Sequence, residues 1–266
     1  MSEENFEIKK TIMERNTKII VALIGLVGII VGGIFGLIPK SKDASADTAP
    51  SVTNTLSPVD DVYAAKLLSS AQAWPVKAKD DFNSNKLGWR EEDGYSGREV
   101  EAVLSIEDGV YLWNVKSKKP EGGTIWPRPV EMENVPNFYV AVDVLSMAEP
   151  DAAKFGLTFR NQGTDNHYDF TISSSQQYEM YYRPNNDTLI SSITNEIVPF
   201  EFNRIAVIGI GHQFWFYIND IFVDYREHDG GPLTGNVSFV VKPLNDKDWI
   251  SVTFDNFELR EMGEMP

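Results

Sequence analysis

Carboxylates spaced to share one face of a strand are the first place to look for acid–base chemistry, because alternate strand residues point the same way. Glu99 and Glu101 have that spacing, as do Glu131 and Glu133. Neither pair is followed by a third acid, and in so acidic a chain they read as solvated strand faces. Asp169 and Glu179 make a better pair. If His167–Ser173 and Gln177–Arg183 form a hairpin with a three-residue turn at Ser174–Gln176, then Tyr168, Phe170 and Ile172 meet Tyr182, Met180 and Tyr178. The opposite face then carries Asp169 and Glu179 as diagonal neighbours, with His167 and Arg160 beside them. Two carboxyls about 5–5.5 Å apart can serve as the acid and the nucleophile of a retaining glycosidase. Cross-strand ion pairing is the competing reading of the same four residues.

Sugar recognition asks for different groups: aromatic faces for the C–H side of a pyranose, and charged or amide groups for its hydroxyls. Arg160, His167, Tyr181, Arg183, Trp215 and Tyr217 fall on strand faces that alternation turns away from the core. They are the candidate ligand-binding set, unless a helix or loop packs over them. Calcium needs several oxygen ligands. Asp81 and Asp255 are the candidate metal residues, with Asp246 and Asp248 in a nearby loop, and no cofactor other than such an ion is expected. The chain has no cysteine, so thiol catalysis, disulfides and Cys-based metal sites are excluded. Of 266 residues with a net charge of −15, residues 80–266 hold 31 acids against 15 bases. Such a surface repels phosphate, so nucleic-acid binding is not expected.

These residues must be positioned by strands. From Asp80 the apolar period is two: Val100, Ala102, Leu104 and Ile106; Phe138, Val140, Val142 and Val144; Phe214, Phe216 and Ile218; Val237, Phe239 and Val241. Gly, Pro, Asn and Asp clusters punctuate the runs. About 180 residues in twelve to fourteen short strands predict an all-β jelly-roll sandwich over 80–262. Asn219-Asp220 suits a two-residue turn, which sets Ile218, Phe216 and Phe214 opposite Ile221, Val223 and Tyr225.

Before the sandwich, Ile19–Ile38 is an uncharged apolar stretch of twenty residues, long enough to cross the hydrocarbon core. It predicts a single transmembrane helix over 19–38, and the alternative is a signal peptide cleaved near Ala44-Ser45-Ala46. Four Lys or Arg precede it and two follow closely. That bias makes 1–18 a cytoplasmic segment, with everything from 39 onward outside the cell. Gly28, Gly32 and Gly36 recur every fourth residue and form a candidate face for self-association or for a partner membrane helix. Residues 39–56 read as a flexible linker. Residues 57–73 read as a stalk helix that Ser57 caps and Pro58 opens, acting as a spacer or a lid on the domain.

Residues 80–262 also resemble a known family. Asp80-Asp81-Phe82 with Gly88-Trp89, Ile106-Glu107-Asp108-Gly109-Val110-Tyr111, Gly156-Leu157-Thr158-Phe159-Arg160 and His167-Tyr168-Asp169-Phe170 follow in order. Asn203-Arg204-Ile205, Tyr217-Ile218-Asn219-Asp220 and Phe254-Asp255-Asn256-Phe257 complete the set. Together they resemble the concanavalin A-like lectin/glucanase jelly-roll superfamily, and most of all the domain named for 3-keto-disaccharide hydrolases and related bacterial surface modules. That fold hosts lectins, hydrolases and scaffolds, so it does not carry a function with it. Two expectations compete. One is a non-catalytic, membrane-anchored module that binds glycan or a protein partner, or serves as an accessory subunit of a membrane assembly. The other is a glycoside-active hydrolase of the 3-keto-disaccharide kind. The missing carboxylate run favours the first.

Overall fold

The computed structural model describes residues 60–125, 135–163, 165–184 and 187–263. The stretch 19–38, the glycines at 28, 32 and 36, and Glu131 and Glu133 lie outside the described residues. Among the described residues, no helix is long and apolar enough to cross a membrane.

Among the described residues one helix, α1 (Asp61–Ala71), precedes fourteen strands. Its cap is Asp60, whose carboxylate accepts from the amides of Val62 and Tyr63 at 2.8 and 3.3 Å; Ser57, the expected cap, precedes the described part. The strands are β1 (Val76–Asp80), β2 (Glu92–Ser96), β3 (Val100–Glu107), β4 (Val110–Ser117), β5 (Phe138–Ser146), β6 (Ala153–Asn161), β7 (Tyr168–Ile172), β8 (Gln177–Tyr182), β9 (Asp187–Ile193), β10 (Asn203–Ile210), β11 (Gln213–Ile218), β12 (Ile221–Glu227), β13 (Asn236–Pro243) and β14 (Ile250–Glu261). They form two antiparallel sheets. The larger has the order β12-β11-β10-β5-β14-β4-β3-β2, with β1 also on β14; the smaller has the order β13-β6-β7-β8-β9. The sandwich thus opens at Val76, four residues before the expected start, because Ala78–Asp80 pairs with Phe257–Leu259.

The inner faces meet in an aromatic core. Trp89 stacks on Phe239 with ring centroids 4.7 Å apart, and Phe239 stacks on Phe254 at 4.4 Å. The Asp80…Trp89 stretch is explained by this core. The buried Asp80 carboxylate accepts from the Trp89 indole N–H and the Phe82 amide, both at 3.0 Å, which pins the turn after β1.

A second apolar layer lies on the outer face of the large sheet. Ala64, Leu68 and Ala71 of α1 recur every three to four residues and pack on Tyr139, Ala141, Ala206, Ile208, Trp215 and Tyr217. The two alanines allow close approach to the sheet. Val62 of the same helix is 55% exposed. The helix therefore acts as a lid rather than a spacer.

The β7–β8 hairpin has the expected register: Tyr168, Phe170 and Ile172 face Tyr182, Met180 and Tyr178. The β11–β12 hairpin keeps it only at the turn. Asn219 and Asp220 both hold positive φ, 52° and 63°, as a type I′ turn requires, and Ile218 faces Ile221. A bulge between Phe216 and Tyr217 then slips the ladder, so Phe216 meets Asp224 and Phe214 meets Arg226. Val223 and Tyr225 are not their partners, a correction of the simple register.

Candidate functional site

The outer face of the small sheet holds the polar cluster that the sequence pointed to. Strands β6, β7, β8 and β13 lie side by side there. Asp169 faces Tyr181 and Thr171 faces Glu179, so Asp169 and Glu179 are diagonal neighbours as expected. Both carboxylates are engaged. Thr158 donates its hydroxyl to Asp169 Oδ1 at 2.5 Å, and Lys242 Nζ sits 2.8 Å from Oδ2. Lys154 donates to Glu179 Oε1 at 2.5 Å. Asp169 itself is fully buried.

Around this pair lie three cations, in a domain where acids outnumber bases two to one. The Lys242 ammonium is 4.6 Å from the centre of the Tyr181 ring, and the Arg183 guanidinium carbon is 5.8 Å from it. Such contacts are cation–π pairs. Lys154 and Lys242 were missed in the sequence. Each sits at an alternate strand position with the right period, but only the order β13-β6-β7-β8 brings them to these acids.

His167 lies 3.7 Å from Asp169 and is buried. Its Nδ1 is 3.1 Å from the Gly163 carbonyl oxygen; a carbonyl only accepts, so Nδ1 bears the proton. Burial lowers the His167 pKa, and the nearby Asp169 carboxylate only partly opposes that shift.

Arg160 does not belong to this face, which corrects the expectation. It takes a positive φ of 50° at the irregularity where Asn236 pairs with Asn161 but Ser238 with Thr158. The side chain turns into the end of the sandwich. It stacks over Phe214 and Phe138 at 4.7 and 5.7 Å and donates to the Pro232 and Pro136 carbonyls. Trp215 and Tyr217 are corrected too. They do point away from the sandwich core, but α1 covers them. Trp215 lies 6.2 Å from the Tyr63 ring, and Tyr217 donates its hydroxyl to the Ala64 carbonyl at 2.9 Å. Neither is more than 1% exposed, so neither offers a stacking platform. Tyr181 and Arg183 remain at the partly exposed margin of the small sheet.

The other acids are arranged as follows. Glu99 is paired with Lys119 at 2.7 Å, and Glu101 with Lys118 at 3.6 Å. Asp81 is bound by Lys86 at 3.1 Å, and that ammonium leads the causes that take its pKa down to about 2. Asp255 faces Asp143 across β14 and β5, and burial raises its pKa. Asp143 is held in turn by Arg204 and Asn256 at 2.9 Å each. Among the described residues no cluster of three or more His, Asp or Glu is arranged to hold a metal ion.

No family model matches the sequence, and no curated protein matches it. Solved structures do. A protein of unknown function with a galectin-like fold from Bacillus subtilis aligns with 70% of this chain and 96% of its own length, at 13% identity and a TM-score of 0.51. The β-glucanase of Bacillus licheniformis aligns over 72% of this chain and all of its own, at 12% identity and a TM-score of 0.50. The fold they share with this chain is a jelly-roll β-sandwich. At these identities the jelly-roll likeness is one of architecture. The arrangement of side chains is this chain's own.

Proposed function

We propose that this chain is a non-catalytic jelly-roll module, held at the cell surface by residues 19–38, that binds glycan at the margin of its small sheet. The observation that carries the reading is the pairing of both candidate carboxylates with lysines. A retaining mechanism needs one carboxyl to give a proton to the glycosidic oxygen and another to attack the anomeric carbon. Here Asp169 is buried against Lys242 and Thr158, and Glu179 is turned to Lys154. Neither is presented to a substrate. Tyr181 and Arg183 are partly exposed and provide a phenol and a guanidinium, groups suited to a sugar's hydroxyls. The jelly roll that this chain shares with a β-glucanase makes sugars the first ligand class to test.

The test is a glycan array probed with the full chain. Capture that is lost in Tyr181→Ala and Arg183→Ala, with unfolding midpoints unchanged, supports the reading. Capture that survives both substitutions moves the site elsewhere. Placement outside the cell is checked separately: protease added to intact cells should remove the domain and leave residues 1–18 protected.

A further inference from the structure

Among the described residues eight large apolar side chains are exposed, and five of them, Ile193, Val198, Phe200, Phe202 and Ile221, gather at one end of the sandwich. Ile193 ends β9, residues 194–202 cross to β10, and Ile221 follows the β11–β12 turn. Asn219 of that turn donates to the Glu196 carbonyl at 2.7 Å and to Asn203 Oδ1 at 3.0 Å, which ties the turn to the crossing loop. The loop is held rigidly. Asn203 donates to the carbonyls of Val198 and Glu201 and accepts from the Val198 amide. Gln176 donates to the Ile197 carbonyl. Within this frame Phe200 holds φ at +63° while 44% exposed. The left-handed region is disfavoured for a bulky residue, so the loop's hydrogen bonds hold this exposed aromatic residue in a costly conformation.

Charge narrows what such a surface can meet. Glu196, Glu201 and Asp220 lie on this loop and turn, and the base beside them, Arg204, is already paired with Asp143 and Glu258. The charge left at the apolar end is therefore negative. Two copies of it repel one another, and it repels an anionic bilayer. Its complement is an apolar surface rimmed by Lys and Arg. We propose that this end of the sandwich docks a basic, apolar surface of another protein, separately from the glycan margin.

The test uses the full chain in phosphatidylcholine nanodiscs, with empty discs as background. The probes are dye-labelled amphipathic helical peptides, one of Leu and Lys and one of Leu and Glu, followed by fluorescence anisotropy. The wild-type chain should bind the Lys peptide and not the Glu peptide, and the affinity should fall as salt rises from about 0.05 to about 0.5 M. Phe200→Ser with Phe202→Ser should weaken it about tenfold. Glu196→Lys with Glu201→Lys should reverse the preference between peptides, a change of sign that partial unfolding would not produce. Equal affinity in wild type and variants, or equal affinity for both peptides, overturns the proposal. So does co-sedimentation with neutral phosphatidylcholine vesicles that Phe200→Ser and Phe202→Ser abolish, which would make the end a lipid contact.

Discussion

Trp215→Ala separates a packed surface from an open one. Trp215 is 1% exposed, and its ring lies between Tyr63 of α1 and Tyr225 of β12 at 6.2 and 5.2 Å. A buried tryptophan removes about 150–250 Å² from water. At about 25 cal/mol per Å², less the share alanine keeps, that is about 3–5 kcal/mol, the same range as measured Trp→Ala cavities. For a domain of this size the midpoint should drop by about 6–20 °C. The assay is urea and thermal unfolding of the full chain, followed by near-ultraviolet circular dichroism. Tyr217→Phe is the companion: it removes only the hydroxyl bond to the Ala64 carbonyl and should cost about 1 kcal/mol. A Trp215→Ala protein within about 1 kcal/mol of wild type that has lost ligand capture would refute the lid and restore Trp215 to an open binding face.

Four further substitutions probe the small sheet and its end loop. Lys242→Met strands the buried Asp169 carboxylate and should cost about 3 kcal/mol, whereas pairing it with Asp169→Asn should recover much of that in denaturant titrations. The lowered pKa of His167 means the folded chain binds fewer protons than the unfolded chain. Its stabilising share is thus complete above the ordinary histidine value of about 6.5 and lost as pH falls through the lower folded value. His167→Gln should flatten the stability profile between about pH 7 and pH 5 relative to wild type, and an unchanged slope would contradict the burial argument. Gly235→Ala would put a Cβ 2.2 Å from the Arg160 carbonyl carbon and 2.5 Å from the Asn161 nitrogen. It should destabilise by about 1–3 kcal/mol in the same titrations.

The β7–β8 hairpin was legible because three apolar pairs and one turn length agree on a single register. The β11–β12 ladder was legible only at Asn219-Asp220, since neither Phe216 nor Tyr217 carries a mark of the bulge between them. Arg160 reads as an outward strand residue until one residue with positive φ reverses its side. Trp215 and Tyr217 were placed on the correct face of the sheet. What the alternation could not show is that α1 returns over that face, because Ala64 and Ala71, the residues that make the contact close, carry little hydrophobic signal. The acid–acid pairing at Asp169 and Glu179 was visible as a pattern. The lysines that occupy it come from β6 and β13, and no local pattern predicts that β6 lies beside β7 with β13 next to it.

The central claim, a glycan-binding module without glycosidase chemistry, is tested most directly by measuring retention and product release in one tube. The full chain is incubated with a panel of β-glucans and keto-disaccharides; bound protein is read by sedimentation or competition, and released sugar by chromatography. The account predicts retention on at least one sugar with no release above buffer, and the same retention in Glu179→Gln. Sugar release that Glu179→Gln or Asp169→Asn abolishes, with the fold intact, would contradict it.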